Sequence, residues 1–580
     1  MILVFGGTTE GRRAIEVMEE AGNTYYYSTK TGEQDVVLHH GHRTDGAMDV
    51  TRMVAFCEEH GIRVIVDAAH PFANVLHKTI AEASRRLRLP VIRFERIYPP
   101  RDPDITWIDD YTELGALLSP HTTLMATTGV QSIGKLRYLE EQGITVIYRI
   151  LNRESSIRLA LEQGAKPEQL CFYGGANEIP VDADAILLKE SGETGGFSEK
   201  ITAARARGMK VIALKRPELS GLGFQSLTIV DGPYGLRRAI ERLLPKFYPL
   251  RSGLTTGTFA TAAVKAAALS LQGEEEDAVW VRLPNGESVL VDIEAVGKGE
   301  ATVVKDFSDD PDVTRGCRIT AKVVLHPNTS GGTVRFLQGE GVGRVTLPGL
   351  GIPVGEPAIN PTPRQMMTAE VHALTEADAD IIISVENGRE LAERTFNGRV
   401  GVVDGISIIG TSGIVAPLSN EAFIDSIGRE LQVARAIGCE AIGLASGKRG
   451  EEALLAKEPN LRVIHYGNFI GAALERAHEL GFRRVVLGIM IGKAVKLAEG
   501  HLDTHSHKVL MNKKFLAEVG ESVGVPDAKE KLEGITMARE LLGLMPPAFF
   551  EAIRYRCLQW CRKVFPTGEL EVVSVENYNG

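Results

Sequence analysis

The stretch that decides the fold lies at the start of the chain and reads Ile2-Leu3-Val4-Phe5-Gly6-Gly7-Thr8-Thr9-Glu10-Gly11-Arg12. Its four apolar residues predict a buried strand, and its glycines allow a sharp turn into a helix over residues 12–21. A strand, a glycine-rich turn and a helix N-terminus bind phosphate in doubly wound α/β folds. The glycine spacing is not the usual Gly-x-Gly-x-x-Gly, so a merely tight turn remains the alternative. The predicted nucleotide contacts are Gly6, Gly7, Thr8, Thr9, Glu10, Gly11 and Arg12.

The second predicted strand, Thr24-Tyr25-Tyr26-Tyr27, ends at Ser28, Thr29 and Lys30. Enzymes that use NAD commonly carry an acidic residue at this strand end, where it holds a ribose hydroxyl. Two hydroxyls and a cation suit a 2′-phosphate instead. We therefore expect NADPH as the cofactor and assign Ser28, Thr29 and Lys30 to its recognition, with NADH as the alternative.

Short apolar strands alternate with helices over residues 1–249. They are predicted at residues 2–5, 64–68, 123–127, 145–150, 185–189 and 210–214. Unbroken apolar strands separated by helices indicate parallel sheets covered on both faces. We expect two Rossmann-like lobes, residues 1–120 and 121–249, because a proline-containing segment interrupts the pattern near residue 120.

A second block starts near residue 250, after the helix end Leu243-Leu244-Pro245-Lys246-Phe247-Tyr248-Pro249. Residues 250–362 combine a helix at 258–271 with strands at 278–283, 288–296, 301–305, 318–325 and 333–336. Strands without intervening helices predict an antiparallel α+β lobe. Residues 363–580 return to strand–loop–helix order, with strands at 381–385, 441–445, 463–466 and 485–489, and predict an α/β lobe.

Composition excludes several classes of function. The 580 residues include 65 Lys plus Arg and 75 Asp plus Glu, a formal charge of −10, which argues against nucleic acid as the main partner. Six scattered cysteines favour a reducing cytoplasmic compartment. No apolar run approaches the roughly 20 residues of a membrane span, and no signal peptide is expected before the first strand. A homo-oligomer is left open.

Five motifs of the first block carry a family resemblance. They are Gly6-Gly7-Thr8-Thr9-Glu10-Gly11-Arg12, Asp67-Ala68-Ala69-His70-Pro71-Phe72-Ala73, Thr127-Thr128-Gly129, Lys189-Glu190-Ser191-Gly192 and Lys215-Arg216-Pro217. In order and spacing they resemble the precorrin-6A reductase family of cobalamin biosynthesis. The resemblance implies two Rossmann-like lobes with a cleft between them. It also implies hydride transfer from a reduced nicotinamide to one double bond of a corrin precursor.

A corrin precursor carries many carboxylates, so cationic side chains are expected to line this cleft. For each candidate cation, the alternative interpretation is that its charge is simply solvated at the protein surface. Ser191 is a further candidate for substrate contact. His70 follows a strand, and it either orients its neighbours or donates the proton that must follow hydride delivery. The candidate cations are Arg12, Arg13, Lys135, Lys189, Lys215 and Arg216.

The second block opens with Arg251-Ser252-Gly253-Leu254-Thr255-Thr256-Gly257-Thr258, which leads into an alanine-rich helix. Glycine and hydroxyl side chains at a helix start suit an anion site, and plain helix capping is an equal alternative. The block resembles the cobalt-precorrin-5B C(1)-methyltransferase family. Phe259, where a cysteine is common, and Ala494-Val495, where a glycine–lysine signature is expected, depart from that pattern. The matching stretches are Thr255-Thr256-Gly257, Asp309-Asp310-Pro311-Asp312-Val313-Thr314, Gly339-Glu340-Gly341-Val342-Gly343, Pro348-Gly349-Leu350-Gly351, Ile359-Asn360-Pro361, Pro363-Arg364, Val385-Glu386-Asn387-Gly388, Gly410-Thr411-Ser412-Gly413-Ile414-Val415, Gly467-Asn468-Phe469-Ile470-Gly471 and Asp503-Thr504-His505-Ser506.

The methyl donor that this resemblance implies is S-adenosylmethionine. Donor sites in α/β folds lie at the carboxyl ends of strands, and four loops qualify: Glu386–Gly388, Ser446–Gly450, Gly467–Gly471 and Gly492–Lys493. Among them, Gly467, Asn468 and Gly471 are favoured because a glycine-flanked helix start fits the methionine carboxylate. Glu386 is a candidate for the ribose hydroxyls. The predicted substrate contacts are Thr255, Thr256, Gly257, Thr411 and Ser412.

The segment His501-Leu502-Asp503-Thr504-His505-Ser506-His507 has two readings. Its alternation resembles a zinc ligand set. Methyl transfer needs alignment rather than a metal, so we expect no metal here and assign Asp503 or His505 as the base that accepts a ring proton. The acidic loop at 309–312 lacks the EF-hand spacing and is expected to be a turn.

Together the two blocks predict a bifunctional enzyme acting on an anionic cobalt corrinoid. The methyltransferase would form cobalt-precorrin-6A, which the reductase would convert to cobalt-precorrin-6B. One alternative is that one half only binds a nucleotide or corrinoid and regulates the other. A second alternative is a cobalt-free precorrin substrate.

Overall fold

The computed structural model describes residues 1–30, 32, 34–172, 182–306, 308–309, 312–326, 332–415, 420–505 and 509–574. The chain divides into two compact units, Met1–Arg251 with Asn285–Val289, and Ser252–Pro284 with Leu290–Gly580. The candidate residues for reduction and for methyl transfer therefore fall in different units.

Strands and helices alternate along the first unit. The strands are β1 (Ile2–Phe5), β2 (Tyr25–Thr29), β3 (Gly41–Asp45), β4 (Val64–Asp67), β5 (Val91–Phe94), β6 (Thr106–Ile108), β7 (Thr123–Ala126), β8 (Thr145–Ile150), β9 (Leu170–Phe172), β10 (Ala185–Lys189), β11 (Lys210–Leu214) and β12 (Leu227–Val230). The helices are α1 (Thr9–Glu19), α2 (Val50–Glu59), α3 (Asn74–Leu87), α4 (Leu114–Leu117), α5 (Ile133–Leu136), α6 (Tyr138–Glu141), α7 (Glu154–Glu162), α8 (Phe197–Ala206) and α9 (Pro233–Leu243).

These strands form two six-stranded sheets, in the orders β12-β5-β4-β1-β2-β3 and β6-β11-β10-β7-β8-β9. Neighbouring strands in both sheets run parallel. The predicted parallel α/β architecture of this part of the chain is confirmed. Helices cover the sheets, so strands such as β1 and β4 are buried along their whole length.

The sheets do not divide at residue 120, so the predicted lobes 1–120 and 121–249 need correction. The chain enters the second sheet with β6 and returns to the first with β12. The sequence pattern misses β5 because Arg93 interrupts its apolar run, and it misses β6 because this strand has three residues. The chain therefore passes between the two sheets twice, once between β5 and β6 and once between β11 and β12.

Tyr27 fixes the shape of the turn between β1 and α1. A Cβ atom at Gly6 would lie 2.0 Å from the Tyr27 hydroxyl oxygen, and one at Gly11 would lie 2.6 Å from it. Only glycine fits at both positions, because the tyrosine side chain packs directly under the turn. The backbone of the turn is consequently held close to the end of β2.

The second part of the chain contains a larger set of elements. The strands are β13 (Gly253–Leu254), β14 (Ala278–Arg282), β15 (Ser288–Asp292), β16 (Ala295–Gly297), β17 (Glu300–Val304), β18 (Arg318–His326), β19 (Val334–Gln338), β20 (Arg344–Val345), β21 (Asp378–Val385), β22 (Val402–Val403), β23 (Ile414–Val415), β24 (Ala441–Ala445), β25 (Arg462–His465), β26 (Arg484–Ile489) and β27 (Glu569–Ser574). The helices are α10 (Thr256–Leu271), α11 (Pro361–His372), α12 (Gly388–Ala392), α13 (Asn420–Ala436), α14 (Lys448–Lys457), α15 (Ile470–Glu479), α16 (Ile491–Glu499), α17 (Lys513–Ser522), α18 (Ala528–Glu533), α19 (Leu541–Leu544) and α20 (Pro547–Val564).

A five-stranded sheet of order β16-β17-β18-β21-β19 packs against the buried, alanine-rich helix α10. Its pairs are antiparallel except for the parallel pair β19–β21. The predicted strand 288–296 is in fact β15 and β16, separated at Ile293-Glu294. β21, expected in the α/β lobe, lies in this sheet instead. Its alternating buried residues are typical of a strand with one covered face rather than of a doubly wound sheet.

A parallel four-stranded sheet of order β25-β24-β26-β27 forms the other layer of the second unit. Leu444, Ile464 and Leu487 are fully buried on it and belong to one core with residues of α15, α16 and α20. The predicted strands at 441–445, 463–466 and 485–489 agree with β24, β25 and β26 to within one residue at each end. The loops that follow these three strands share one edge of the sheet.

Candidate active sites

The turn between β1 and α1 presents backbone donors to an open space. Gly7 has a φ of +91°, and a Cβ atom there would meet no atom within 4 Å. Thr8 caps α1 by accepting a 3.0 Å hydrogen bond from the Gly11 N–H, and its hydroxyl donates to the Ala68 carbonyl at 2.7 Å. Thr9, Arg12 and Arg13 are exposed on the first turns of the helix. This geometry suits the phosphate site predicted for the turn.

Gln34 lies over the same turn. Its side-chain oxygen accepts hydrogen bonds from the Gly7 N–H and from the Tyr27 hydroxyl, while its NH₂ group donates to the Thr8 carbonyl at 2.9 Å. Burial raises the pKa of Tyr27, although the Gly7 N–H and the charges of Arg12 and Arg43 oppose the shift. The guanidinium groups of Arg12 and Arg43 therefore lie close enough to the Tyr27 hydroxyl to affect its ionisation, while the Gly7 N–H is already bonded to Tyr27 and Gln34.

Glu10 has a different role from the rest of the predicted nucleotide motif. Its side chain is buried and its carboxylate binds Arg96 and the hydroxyl of Thr194. It therefore contacts protein groups on both oxygens rather than facing the open side of the turn. The sequence motif does not distinguish an acid that faces inward from one that faces the ligand.

At the end of β2, only Lys30 is exposed. Ser28 and Thr29 are buried, and the Thr29 hydroxyl donates to Asp45 at 2.7 Å. Arg43 of the neighbouring strand binds the same carboxylate at 3.2 Å. The cations that remain accessible at this edge are Lys30 and Arg43, and the sequence pattern does not single out Arg43 because β3 is largely polar.

A cavity of about 520 Å³ lies at the carboxyl ends of the second sheet. Phe72 and Asn74, which follow β4 of the first sheet, also line it. The loop after β4 thus touches the nucleotide turn through Ala68 and the cavity through Phe72. The predicted cations Lys135, Lys189, Lys215 and Arg216 all line this cavity, together with Arg101, which the sequence analysis did not identify.

The cavity cations differ in their partners. Lys215 pairs with Asp109 at 2.9 Å, and the buried carboxylate of Glu190 binds both Arg101 and Arg216. Lys189 lies 5.1 Å from the centre of the Phe72 ring. Burial, and next the charge of Lys135, lower the pKa of Lys189 to about 8.

Ser191 does not line the cavity. Its hydroxyl donates to the Gly195 carbonyl at 3.3 Å, and its own carbonyl accepts from Arg96 at 2.7 Å. It supports the loop that follows β10 rather than presenting its hydroxyl to the cavity.

His70 lies between the turn and the cavity, on the loop after β4. Burial and the charges of Arg96 and Lys189 lower its pKa to about 4, so its ring is neutral at physiological pH. Its Nδ1 accepts the Phe72 N–H at 3.2 Å, which leaves the ring proton on Nε2. A neutral imidazole in this state orients a neighbour by donating a hydrogen bond and is a poor source of a proton.

The loop that carries His70 is held by a buried ion cluster. His77 binds Asp67 at 2.7 Å and the His70 carbonyl at 3.1 Å, and Arg93 binds Asp67 and the Ala69 carbonyl. The side chains of His77, Asp67 and Arg93 are all almost fully buried. The cluster fixes the backbone from which Phe72 reaches the cavity.

In the second unit, two predicted substrate stretches meet. The Thr255 N–H donates to the Gly413 carbonyl, and the Ile409 N–H donates to the Thr256 hydroxyl. A Cβ atom at Gly257 would lie 2.9 Å from the Ile409 carbonyl oxygen, so the helix start presses against the loop. Thr255, Thr256 and Gly257 are buried, while Thr411 and Ser412 are exposed. The first stretch supports the second. Thr411 is left available to a ligand, whereas the Ser412 hydroxyl donates to the Ile414 carbonyl at 3.2 Å and accepts the Ile414 N–H at 3.3 Å.

The loop after β25 meets the loop after α16. Phe469 and Asp503 form an antiparallel bridge, and the Thr504 N–H donates to the Asn468 carbonyl at 3.0 Å. Asp503 also accepts the His505 N–H at 3.1 Å. The structure thereby brings the predicted donor loop and the predicted base residues together.

Asn468 lies just outside helix α15. Helix α15 begins at Ile470 with Phe469 at its N-cap, so Asn468 lies one residue before the cap position. Gly467 has a φ of +57°, whereas the Gly471 N–H is bonded to the Leu502 carbonyl at 3.1 Å and cannot also bind a cofactor. Of the predicted donor residues, Gly467 and Asn468 remain suitable and Gly471 serves packing.

Lys493 was not singled out as a site residue. It follows β26, and its ammonium donates to the Gly467 carbonyl while lying 5.5 Å from the centre of the Tyr466 ring. Burial, followed by the charge of Lys496, lowers its pKa to about 8. A Cβ atom at Gly447 or Gly492 would meet no atom within 4 Å, so the flanking loops leave room beside it.

Glu386 is placed elsewhere. It follows β21 of the five-stranded sheet and pairs with Arg318 at 3.3 Å, whereas the loops around Asn468 belong to the four-stranded sheet. Its predicted contact with the donor ribose gains no support from this position.

Within the described ranges, no three His, Cys, Asp or Glu side chains group to hold a metal ion. Ser506 and His507, from the possible zinc segment, lie outside the described residues. So do Asp310 and Pro311, whereas Asp312 pairs with the buried Lys305 at 2.7 Å. The part of the chain that the structure describes also has no helix long and apolar enough to cross a bilayer.

Comparison with known proteins also divides the chain, between residues 231 and 245. Residues 1–231 match the family model described as precorrin-6x reductase CbiJ/CobK, and residues 245–417 match the CbiD model. The cobalt-precorrin-5B C(1)-methyltransferase of Prosthecochloris aestuarii is 40% identical over 351 residues, which cover 57% of this chain and 95% of that protein. The protein of the same name from Burkholderia lata is 44% identical over 292 residues, covering 48% and 80%.

The chain belongs to the cobalt-precorrin-5B C(1)-methyltransferase family. It carries a precorrin-6x reductase domain in front of the methyltransferase, so the predicted fusion is confirmed. Similar solved structures include the cobalamin biosynthesis protein CbiD from Archaeoglobus fulgidus, with 28% identity, 45% of this chain and 83% of that chain covered, and a TM-score of 0.26. The CobK precorrin-6A reductase structure has 19% identity, coverage of 42% and 97%, and a TM-score of 0.33. Both expected enzyme classes, a methyltransferase and a reductase of corrin-ring biosynthesis, are confirmed by the family matches.

Proposed function

We propose that the chain catalyses two consecutive steps on one anionic cobalt corrinoid in the cytoplasm. The second unit methylates cobalt-precorrin-5B at C(1) with S-adenosylmethionine, and the first unit reduces the resulting cobalt-precorrin-6A to cobalt-precorrin-6B with NADPH. The observation that carries the proposal is the cavity of about 520 Å³, in which five cations meet beside the loop that contacts the nucleotide turn. A polycarboxylate substrate requires such a cavity.

In the reductase site, the start of α1 would hold the pyrophosphate through the backbone N–H groups of Thr8 and Thr9, because those of Gly6, Gly7 and Gly11 are bonded within the protein. Lys30 and Arg43 would bind the 2′-phosphate, because they are the accessible cations at the ends of β2 and β3. Bound NADPH supplies the hydride. Lys135 and Lys189 hold corrin carboxylates, and the neutral His70 orients the bound groups rather than donating the proton.

In the methyltransferase site, the loops after β24, β25 and β26 would hold S-adenosylmethionine. Gly467 and Asn468 offer backbone and amide groups, and Lys493 fixes the Gly467 carbonyl. Asp503 and His505 lie against this loop, where one of them would accept the ring proton released on methylation. Thr411 is exposed and would bind a substrate carboxylate, and the equally exposed Ser412 would do so only by giving up its bonds to Ile414.

The test is anaerobic turnover of cobalt-precorrin-5B by the intact chain, followed by mass spectrometry. With S-adenosylmethionine alone, we expect a product heavier by one methylene group. Adding NADPH should convert that product to one heavier by two further hydrogen atoms. Binding of either cofactor without turnover would support the alternative that one unit is a regulatory binding module, and turnover only of a cobalt-free precorrin would change the substrate.

A further inference from the structure

Arg96, two residues beyond β5, joins three loops of the first unit. Its Nε donates to Glu10 on α1 at 2.9 Å, and its Nη1 donates to the Ser191 carbonyl at 2.7 Å. The hydroxyl of Thr194 donates to the other oxygen of Glu10. Helix α1 directly follows the nucleotide turn. Ser191 and Thr194 lie in the loop that follows Lys189, which lines the cavity.

The loop at 190–196 is shaped around this contact. Gly192 has a φ of +70°, and a Cβ atom there would lie 2.9 Å from the Arg96 Cβ and 3.0 Å from the Ile97 carbonyl oxygen. A Cβ atom at Gly195 would lie 2.9 Å from the Arg96 Nη1. The Glu193 N–H also donates to the Ile97 carbonyl at 3.1 Å. Two glycines are therefore required for the loop to close on Arg96.

The contact is also strong electrostatically. Burial alone would raise the pKa of Glu10, but the hydrogen bond from Thr194 and the positive charge of Arg96 lower it, so Glu10 is ionised at neutral pH. The side chains of Glu10 and Arg96 are both almost fully buried. Removing one partner of such a pair leaves a buried charge without compensation.

We propose that Glu10, Arg96 and Thr194 couple the nucleotide site to the corrinoid cavity. The contact holds α1 and the loop after β10 in one fixed arrangement. NADPH and the corrinoid therefore bind to sites that are already positioned relative to each other. None of the three side chains lines the cavity, so they are positioning residues. The proposal rests on the reductase function proposed above and adds the means by which its two binding sites act together.

The test compares Thr194→Val with Thr202→Val, and Glu10→Gln with Glu16→Gln, in the full chain. Thr202 and Glu16 are exposed residues of the same unit, and the Thr202 hydroxyl bonds within its own helix. Cobalt-precorrin-6A is supplied by the chain's own methyltransferase. In Thr194→Val and in Glu10→Gln, we expect the KM values for both NADPH and the corrinoid to rise about tenfold, with kcat changed less than about twofold. The two control variants should keep the wild-type values. Thr194→Ser should restore the wild-type values.

Binding measurements separate coupling from a general loss of structure. In the wild-type chain, calorimetry should show that NADP⁺ binds more tightly when cobalt-precorrin-6A is present, and reciprocity requires the converse. In Thr194→Val this difference should shrink at an unchanged melting temperature. Equal KM values in variant and control, or an undiminished effect of the corrinoid on NADP⁺ binding, would overturn the proposal. A wild-type chain that lacks reductase turnover would instead refute the function on which the proposal rests.

Discussion

The two candidate sites of this chain are built from different groups. The reductase cavity is formed by charged side chains at the ends of parallel strands, among them Lys189, Lys215 and Arg216. The methyltransferase edge is formed mainly by backbone groups and short side chains around Gly467 and Asn468. A cavity lined by cationic side chains is suited to a polycarboxylate. A sheet edge that offers backbone groups is suited to a cofactor recognised by its shape and hydrogen bonds.

The cavity cations are themselves of two kinds. Lys215 and Arg216 already have carboxylate partners, with which a substrate must compete. Lys135 and Lys189 have no carboxylate partner among the described residues and lie instead near the Tyr111 and Phe72 rings. The affinity for the corrinoid should therefore depend most on Lys135 and Lys189.

The largest expected effect is on Lys189. Lys189→Met should lower kcat/KM of the reductase at least about 100-fold, because a buried charge–carboxylate contact contributes about 3 kcal/mol. Methyl transfer by the same chain should be unchanged. Lys246→Met, at an exposed position of the same unit, serves as the control. A loss of less than threefold would show that charge at this position does not hold the substrate.

Lys30→Asp should have the next largest effect. Ser28 and Thr29 are buried, so Lys30 and Arg43 are the groups left to bind a 2′-phosphate. We expect the KM for NADPH to rise about 30-fold by charge reversal, with the KM for NADH changed little. Steady-state kinetics with both cofactors measures the difference. An equal loss for NADPH and NADH would mean that this strand end does not bind the phosphate.

Asn468→Ala tests the backbone-lined edge. Because Asn468 lies before the cap position of α15, the melting temperature should stay close to that of the wild type. The affinity for S-adenosylmethionine should fall about tenfold, the effect of losing one or two hydrogen bonds, while the reductase stays active. Asn460→Ala, in an exposed turn, is the matched control. A lower melting temperature with unchanged donor affinity would assign Asn468 to stability alone.

The smallest expected effect is a pH dependence that differs between the sites. The pKa of Lys189 is lowered to about 8, so its charge is present below pH 8 and lost above it. A group with a pKa of about 8 is about nine-tenths charged at pH 7 and about one-tenth charged at pH 9, so the KM for the corrinoid in reduction should rise by up to about tenfold over this range. Lys189→Arg should remove the rise. Lys493 has the same pKa, but a neutral amine still donates to the Gly467 carbonyl, so donor binding should vary less. The measurement is the KM for the corrinoid and the affinity for S-adenosylmethionine, each determined between pH 7 and 9. An equal pH dependence of the two quantities would contradict the prediction.

Sequence patterns predicted the elements whose local chemistry is unambiguous. The strand β1, its glycine turn and the strands β24, β25 and β26 are short apolar runs followed by small residues, a pattern with few other solutions. β5 was missed because Arg93 is buried within it by pairing with Asp67 and Glu95, a contact between distant residues.

Within the sites, sequence motifs located loops better than they assigned side chains. The loops at 6–11, 189–192, 410–413 and 467–471 have the expected local form, yet Glu10, Ser191 and Gly471 are occupied by protein contacts. A sequence motif shows which residue type occurs at a position, but it does not show whether that residue contacts a ligand or another part of the protein. Arg101 was not predicted, and Lys493 was placed in a candidate donor loop without a role, because no local pattern marks a side chain that becomes important through folding.

The most direct test of the account gives the intact chain cobalt-precorrin-5B, S-adenosylmethionine with a ¹³C-labelled methyl group, and NADPH deuterated at the transferring position. The account predicts one corrinoid product that carries both the ¹³C methyl group and one deuterium. A ¹³C-labelled product without deuterium while NADPH is consumed, or deuterium without the methyl label, would contradict the assignment of consecutive steps to the two units.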